Sequence, residues 1–188
     1  MQLVNSVPKP RQRHTFIAYV EDKPGVLARV ASLFRRRAYN IDSLAVGRTC
    51  EPGISRMTIV MEADDTTARL VEANMYKLVN VLRIEDVTHT PTVIRELALI
   101  KVHADTESRA KVLQVCEVFR ARVVDVAPDA LMIEITGTGD KLQGLLEVLE
   151  PFGIIGMART GSIAMTRGAE PHTIHPHFVH ARVQSNGT

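Results

Sequence analysis

Apolar residues recur with two periods along the first third of the chain. Residues 15–20 alternate, so that side chains of even number fall on one face and those of odd number on the other, which is typical of a strand. Helical spacing follows at once, in the apolar residues Val26, Leu27, Val30, Leu33 and Phe34. Residues 21–25 are therefore predicted to form a strand-to-helix turn.

The same alternation of periods continues to about residue 87. Residues 40–46 read as a second strand, and the turn signal Pro52-Gly53 leads into a third at residues 56–62. A helix is predicted from Thr66, and a fourth strand at residues 81–87. The order βαββαβ predicts a four-stranded antiparallel sheet with both helices on one face, a ferredoxin-like plait.

The pattern restarts after a polar segment that contains Pro91. Strands are predicted at residues 97–102, 123–126, 131–136 and 154–155, and helices at 106–119 and 140–149. Residues 34–41 also resemble residues 119–126, which favours a repeated architecture. We therefore predict an α+β protein of two tandem plaits: an N-terminal extension at 1–13, domains at 14–88 and 96–167, a linker at 89–95 and a tail at 168–188.

Composition narrows the class of protein. The chain has 188 residues, is 45% hydrophobic, and balances 23 basic against 21 acidic residues, so no global field points to nucleic acid or a membrane. RNA-binding plaits stack bases on sheet aromatics, and aromatics make up only 4% here. The two cysteines, Cys50 and Cys116, lack CxxC spacing, and no signal peptide or membrane span is recognisable. We expect a cytoplasmic protein in which Cys116 is a buried structural thiol.

Candidate chemistry concentrates in the turn at residues 21–25. Asp22 is positioned to cap the helix, Pro24 fits its first turn, and Gly25 has no side chain to block an approaching ligand. Bare N–H groups at a helix N-terminus suit a carboxylate or phosphate. Motifs of hydrolases, metalloproteases, P-loop and dinucleotide-binding proteins are absent from the sequence, and we predict no catalytic residue.

The C-terminal tail leaves two interpretations open. It contains four of the seven histidines, at positions 172, 175, 177 and 180, among prolines and small residues. Imidazoles this close could bind a transition metal, but nothing in the segment fixes their geometry. We expect a disordered tail and no metal site.

Five motifs in order resemble the small regulatory subunit of acetohydroxyacid synthase, also called acetolactate synthase. They lie at residues 22–30 (DKPGVLARV), 39–44, 55–59, 77–82 and 95–102, and the similarity extends from about Phe16 to Arg167. The resemblance implies an N-terminal ACT domain that binds a branched-chain amino acid, usually valine, between two such domains. It also implies a C-terminal plait typical of the family.

The resemblance and the turn agree on a candidate site. Backbone N–H groups near Gly25 and Val26 would bind the carboxylate of valine, and Asp22 would lie near its ammonium. Asn40 and Ile41, from the same or a neighbouring chain, would complete the pocket. Ala38 stands where the family commonly has glycine, which matters if that position is left-handed. The implied effector-binding set is Asp22, Pro24, Gly25, Val26, Leu27, Asn40 and Ile41.

The resemblance also implies partners. A large catalytic subunit would carry thiamine diphosphate, magnesium and FAD, while this chain would bind none of them. This chain would raise the activity of the large subunit, confer feedback inhibition by valine, and form a homodimer through its ACT domains. The alternative is a free-standing amino-acid sensor that acts on transcription or on another enzyme; it is weakened because the sequence shows no helix-turn-helix.

Overall fold

The computed structural model describes residues 10–169 and divides the chain into two compact units. The divisions lie between Thr92 and Val93 and between Met165 and Thr166. Both units combine an antiparallel sheet with two α-helices, which confirms the α+β prediction. Residues 1–9 and the histidine-rich segment from Glu170 onward lie outside the described residues. Among the helices of residues 10–169, none is long and apolar enough to cross a membrane.

The first unit has the predicted order βαββαβ. The elements are β1 (Gln12–Glu21), α1 (Val26–Arg36), β2 (Ser43–Arg48), β3 (Ile54–Ala63), α2 (Asp65–Tyr76) and β4 (Val81–Asp86). The strands run in the spatial order β2-β3-β1-β4, all antiparallel, and β1 has a bulge between Tyr19 and Val20 where it pairs with β4.

Alternation in the strands and helical spacing in α1 produce the core of this unit. Even-numbered residues of β1 face the helices, and Phe16 lies opposite Ile59 of β3. Helix α1 buries Val26, Val30, Leu33 and Phe34, which repeat at the spacing of one helical face. Helix α2 begins where the carboxylate of Asp64 accepts hydrogen bonds from the N–H groups of Thr66 and Thr67.

Helix α1 ends in a Schellman motif that places Ala38 in the left-handed region, with φ of 54°. The N–H of Tyr39 donates to the carbonyl of Phe34 and that of Ala38 to the carbonyl of Arg35, and the rings of Phe34 and Tyr39 pack edge to face. Ala38 therefore does occupy a left-handed position, the condition under which an alanine in place of the family's usual glycine matters. The predicted strand start at residue 40 is wrong, because residues 39–42 are needed to leave the helix, and β2 begins at Ser43.

The second unit repeats this topology and adds one strand. The elements are β5 (Thr92–His103), α3 (Arg109–Phe119), β6 (Arg122–Val126), β7 (Ala130–Gly137), α4 (Gly139–Leu149), a 3-10 turn (Glu150–Phe152), β8 (Ile154–Arg159) and β9 (Ile163–Thr166). The strand order is β6-β7-β5-β8, and the short strand β9, which the alternation did not predict, also pairs with β5. Strand β5 begins at Thr92, inside the predicted linker, because Thr92, Val93 and Ile94 are β-branched residues that favour a strand.

Equivalent positions in the two units can be matched through their hydrogen bonds. Strand β5 carries a bulge between Lys101 and Val102, as β1 does before its last residues. Helix α3 also ends in a Schellman motif, with Arg120 at φ 52° in the place of Ala38. The match predicted from residues 34–41 is therefore three residues out of register, because Phe34 corresponds to Cys116 rather than to Phe119. Cys116 is 3% exposed, which confirms a buried thiol, and burial raises its pKa.

Candidate functional site

The turn between β1 and α1 is a type II turn closed by a glycine. Gly25 has φ 82° and ψ −7°, and the N–H of Val26 donates to the carbonyl of Lys23 at 3.4 Å. Pro24 occupies the second position of this turn rather than the first turn of the helix. The predicted cap is also wrong: Gly25 is the N-cap, and the side chain of Asp22 forms no capping hydrogen bond.

Several N–H groups at the start of α1 are left without a protein acceptor. Within residues 10–169, the N–H groups of Gly25, Leu27 and Ala28 donate to no protein atom, while that of Arg29 donates to the carbonyl of Gly25. A Cβ atom added to Gly25 would meet nothing within 4 Å. The start of α1 is thus both rich in donors and sterically open, as binding of an anion requires.

Asp22 is held by the tip of the β2-β3 hairpin. Its N–H donates to the carbonyl of Gly53 at 2.8 Å, and its Oδ2 lies 3.1 Å from Nε of Arg48. Both side chains remain accessible to water, so the pair is only weakly stabilising. The carboxylate of Asp22 is therefore only weakly paired and remains open to solvent.

A buried amide ties the turn to the connection between α2 and β4. Nδ2 of Asn80 donates to Oε2 of Glu21 at 2.5 Å, and its Oδ1 accepts from Nη1 of Arg29 at 2.6 Å. Sequence patterns did not single out this contact, because its partners are 51 and 59 residues away from Asn80. The one available signal was that Asn80 falls within the motif at residues 77–82.

Asn40 and Ile41 lie at the opposite end of α1 from this turn. Eleven residues of helix separate the two groups, which at about 1.5 Å per residue is roughly 16 Å. Nδ2 of Asn40 donates to Oδ1 of Asp42 at 2.7 Å, and Ile41 packs partly against the core of its own unit. The two groups of predicted site residues are therefore not brought together within one chain.

In the equivalent turn of the second unit, backbone N–H groups donate to a carboxylate that belongs to the same turn. The N–H groups of Glu107 and Ser108 both donate to Oδ1 of Asp105, at 3.0 and 2.8 Å. The side-chain hydrogen bond from Ser108, together with these N–H donors, lowers the pKa of the Asp105 carboxyl. Backbone contacts align the two turns, since Asp22 donates to Gly53 as Ala104 donates to Asp129. Asp105 therefore occupies the position of Lys23.

Two other clusters of polar side chains pair with one another inside the fold and are not candidate ligand sites. His14 is buried with Nδ1 2.8 Å from Oδ2 of Asp86. Glu96, which is 5% exposed, accepts from Nε of Arg159 and from the hydroxyl of Ser162, both at 2.5 Å. In the part of the chain that the structure describes, no group of three or more histidine, cysteine or acidic side chains could hold a metal ion. The start of α1 therefore remains the candidate ligand site.

Comparison with known proteins agrees with this division of the chain. Residues 16–83 match the family described as the AHAS small subunit-like ACT domain, and residues 95–168 match the family described as the small subunit of acetolactate synthase. The acetolactate synthase small subunit of Mycobacterium bovis is 52% identical over 155 residues, which cover 82% of this chain and 92% of that protein.

More distant relatives extend the same similarity. A probable acetolactate synthase small subunit of Methanothermobacter thermautotrophicus is 47% identical over 83% of this chain and 94% of its own length. The crystal structure of the acetolactate synthase small subunit from Thermotoga maritima superposes with a TM-score of 0.78, at 38% identity, over 84% of this chain and 99% of that one. The chain belongs to the family of acetolactate synthase small subunits, and its first unit is an ACT domain.

Proposed function

We propose that this chain stimulates the thiamine-diphosphate-dependent catalytic subunit of acetolactate synthase and makes it sensitive to feedback inhibition by valine. In this proposal the small subunit has no catalytic site of its own. Thiamine diphosphate, magnesium and FAD belong to the catalytic partner, and the complex is cytoplasmic. The proposal rests on membership of the family and on the geometry at the start of α1.

The observation that carries the proposal is the difference between the two equivalent turns. In the second unit, the N–H groups of Glu107 and Ser108, which immediately precede the helix, donate to the carboxylate of Asp105. In the first unit, Lys23 stands at that position, and the N–H groups of Gly25, Leu27 and Ala28 have no acceptor among the described residues. A free amino acid brings the carboxylate that this turn lacks.

The remaining contacts follow from the chemistry of an amino acid. Its ammonium would displace Arg48 from Asp22, and its branched side chain would lie against Leu27, which is about half exposed. Because Asn40 and Ile41 lie at the far end of α1, we assign their contribution to a second copy of the chain. The site would then form between two ACT domains in a homodimer, from one copy of each half.

The substitution Gly25→Asp tests this site. It places a carboxylate where the effector carboxylate would bind, and repulsion between the two in a partly desolvated pocket should cost several kcal/mol. We expect valine binding to be lost at physiological concentrations while stimulation of the catalytic subunit persists. Calorimetric titration of the full chain with valine and rate measurements on the reconstituted complex would measure both.

Gly168→Asp is the matched control. Gly168 also has a positive φ, 97°, and no atom within 4 Å of an added Cβ, so the substitution carries a similar backbone strain and the same added charge. It should leave valine binding within a few-fold of the parent. If Gly25→Asp binds valine like the parent, the ligand lies elsewhere; if it fails to stimulate the catalytic subunit, the turn belongs to the docking surface.

A further inference from the structure

The amide of Asn80 makes a contact that few side chains could replace. Its carbonyl oxygen accepts from the guanidinium of Arg29, and its NH2 group donates to the carboxylate of Glu21. A carboxylate only accepts hydrogen bonds and a guanidinium only donates them, so the residue between them must supply one donor and one acceptor. Asn80 is 8% exposed, which makes loss of either contact costly.

These contacts involve residues before, within and after the turn at residues 21–25, called the effector turn below. Glu21 is the last residue of β1, and its N–H donates to the main-chain carbonyl of Asn80 at 2.9 Å. Arg29 lies in the first turns of α1, and Nζ of Lys23, within the effector turn itself, lies 3.3 Å from Oε1 of Glu21. Asn80 therefore connects the residue before the turn with the helix after it.

The second unit lacks this connection. There the N–H of His103 donates to the carbonyl of Gly153, which is the equivalent of Asn80 and has no side chain. That turn is stabilised instead by the hydrogen bonds to Asp105. The amide network thus accompanies the open turn and is absent where the turn closes on its own carboxylate.

We propose that Asn80 is a positioning residue for the effector: it holds the β1-α1 turn in the one conformation that presents its free N–H groups to a carboxylate. The inference rests on the proposed function, because it concerns the same site. Asn80 does not contact the effector in this arrangement and acts through Glu21 and Arg29. A chain without the network populates the competent turn less, and its apparent affinity falls by the same factor.

The test is calorimetric titration of the full chain with L-valine, with thermal unfolding measured in parallel. Asn80→Ala should weaken valine binding roughly tenfold, the factor expected from loss of one buried hydrogen-bonded group. Asn80→Asp should weaken it as well, because its carboxylate faces that of Glu21. The double substitution Glu21→Gln with Asn80→Asp exchanges donor and acceptor, and should restore the affinity to within about threefold of the parent.

Val71→Ala is the control for stability alone. Val71 is fully buried in the same unit and contributes no polar group to the turn, so its truncation should lower the unfolding temperature and leave valine affinity unchanged. If Asn80→Ala binds valine like the parent, or if the exchanged pair stays as weak as Asn80→Asp, the positioning role is wrong and the proposed function stands. If the parent itself binds no valine, both are wrong.

Discussion

The two units share a topology, a bulge before the turn and a left-handed helix end, yet they differ at the start of their first helix. In the second unit Asp105 supplies the anion that a helix N-terminus favours, and in the first unit Lys23 stands at that position. A turn that binds its own carboxylate gains stability, while one that leaves its N–H groups free leaves room for an external anion. If the first unit binds the proposed effector, one position decides which of the two duplicated folds carries binding.

The units also differ in where their buried polar side chains form hydrogen bonds. Glu96 of the second unit is paired on both oxygens, by Arg159 and Ser162, and this cluster joins β5 to the end of β8 and to the segment that follows it. In the first unit the buried polar contacts of Asn80 lie beside the open turn. We assign the former cluster to stability and the latter to binding; Glu96→Ala tests the first assignment, and the substitutions of Asn80 described above test the second.

The largest effect is expected from Glu96→Ala. It removes the carboxylate to which Arg159 and Ser162 donate, and because Glu96 is 5% exposed while the side chain of Arg159 is 30% exposed, the loss should be about 2 kcal/mol, within the usual range for hydrogen bonds to a charged group. Chemical denaturation should show the loss, and amide exchange should locate it in β5 and β8. Glu96→Gln, which keeps the hydrogen bonds, should lose less. A loss of valine binding without a loss of stability would contradict the assignment.

A smaller effect is expected from Lys23→Asp, which gives the first unit the residue found at the equivalent position of the second. A carboxylate there would compete for the N–H groups at the start of α1, and we expect valine affinity to fall about tenfold, or roughly 1.4 kcal/mol. Lys23→Ala removes the cation without adding a carboxylate and serves as the control. Equal losses in both variants would mean that the cation, and not the free N–H groups, binds the effector.

The smallest effect is expected from Ala38→Gly and Arg120→Gly, because the two helix ends have the same conformation. A left-handed residue with a Cβ costs about 1 kcal/mol relative to glycine, so each substitution should raise the free energy of unfolding by up to that amount. Parallel denaturation curves would measure both. A gain at only one of the two positions would show that the helix ends are not equivalent in solution.

Sequence patterns predicted the order of the strands and helices because each of these elements is determined largely by residues close together in the sequence. Alternation in residues 15–20 and helical spacing from Val26 to Phe34 were enough for β1 and α1, and Pro24 and Gly25 marked the turn. Strand β9 was missed since four residues are too few to show a period. The start of β2 was misplaced since the Schellman motif at Ala38 takes up the residues that follow it.

The candidate site was only partly predictable. Gly25 could be identified as an open turn from local sequence, but the partners that set its chemistry come from distant segments, Arg48 for Asp22 and Asn80 for Glu21. Asp105 is a residue type that favours a turn in which its side chain accepts from N–H groups two and three residues later, as it does here from Glu107 and Ser108. This local preference is the signal from which closure of the second turn could have been predicted.

The placement of the two groups of site residues at opposite ends of α1 has a mechanical consequence. In a symmetric pair of ACT domains, each α1 would touch both effector sites, one through Gly25 and the other through Asn40. In the proposed dimer, a shift imposed at one end of this eleven-residue helix by a bound effector would be transmitted along its axis to the other site. The two sites would then be interdependent, and the saturation curve would depart from a simple hyperbola.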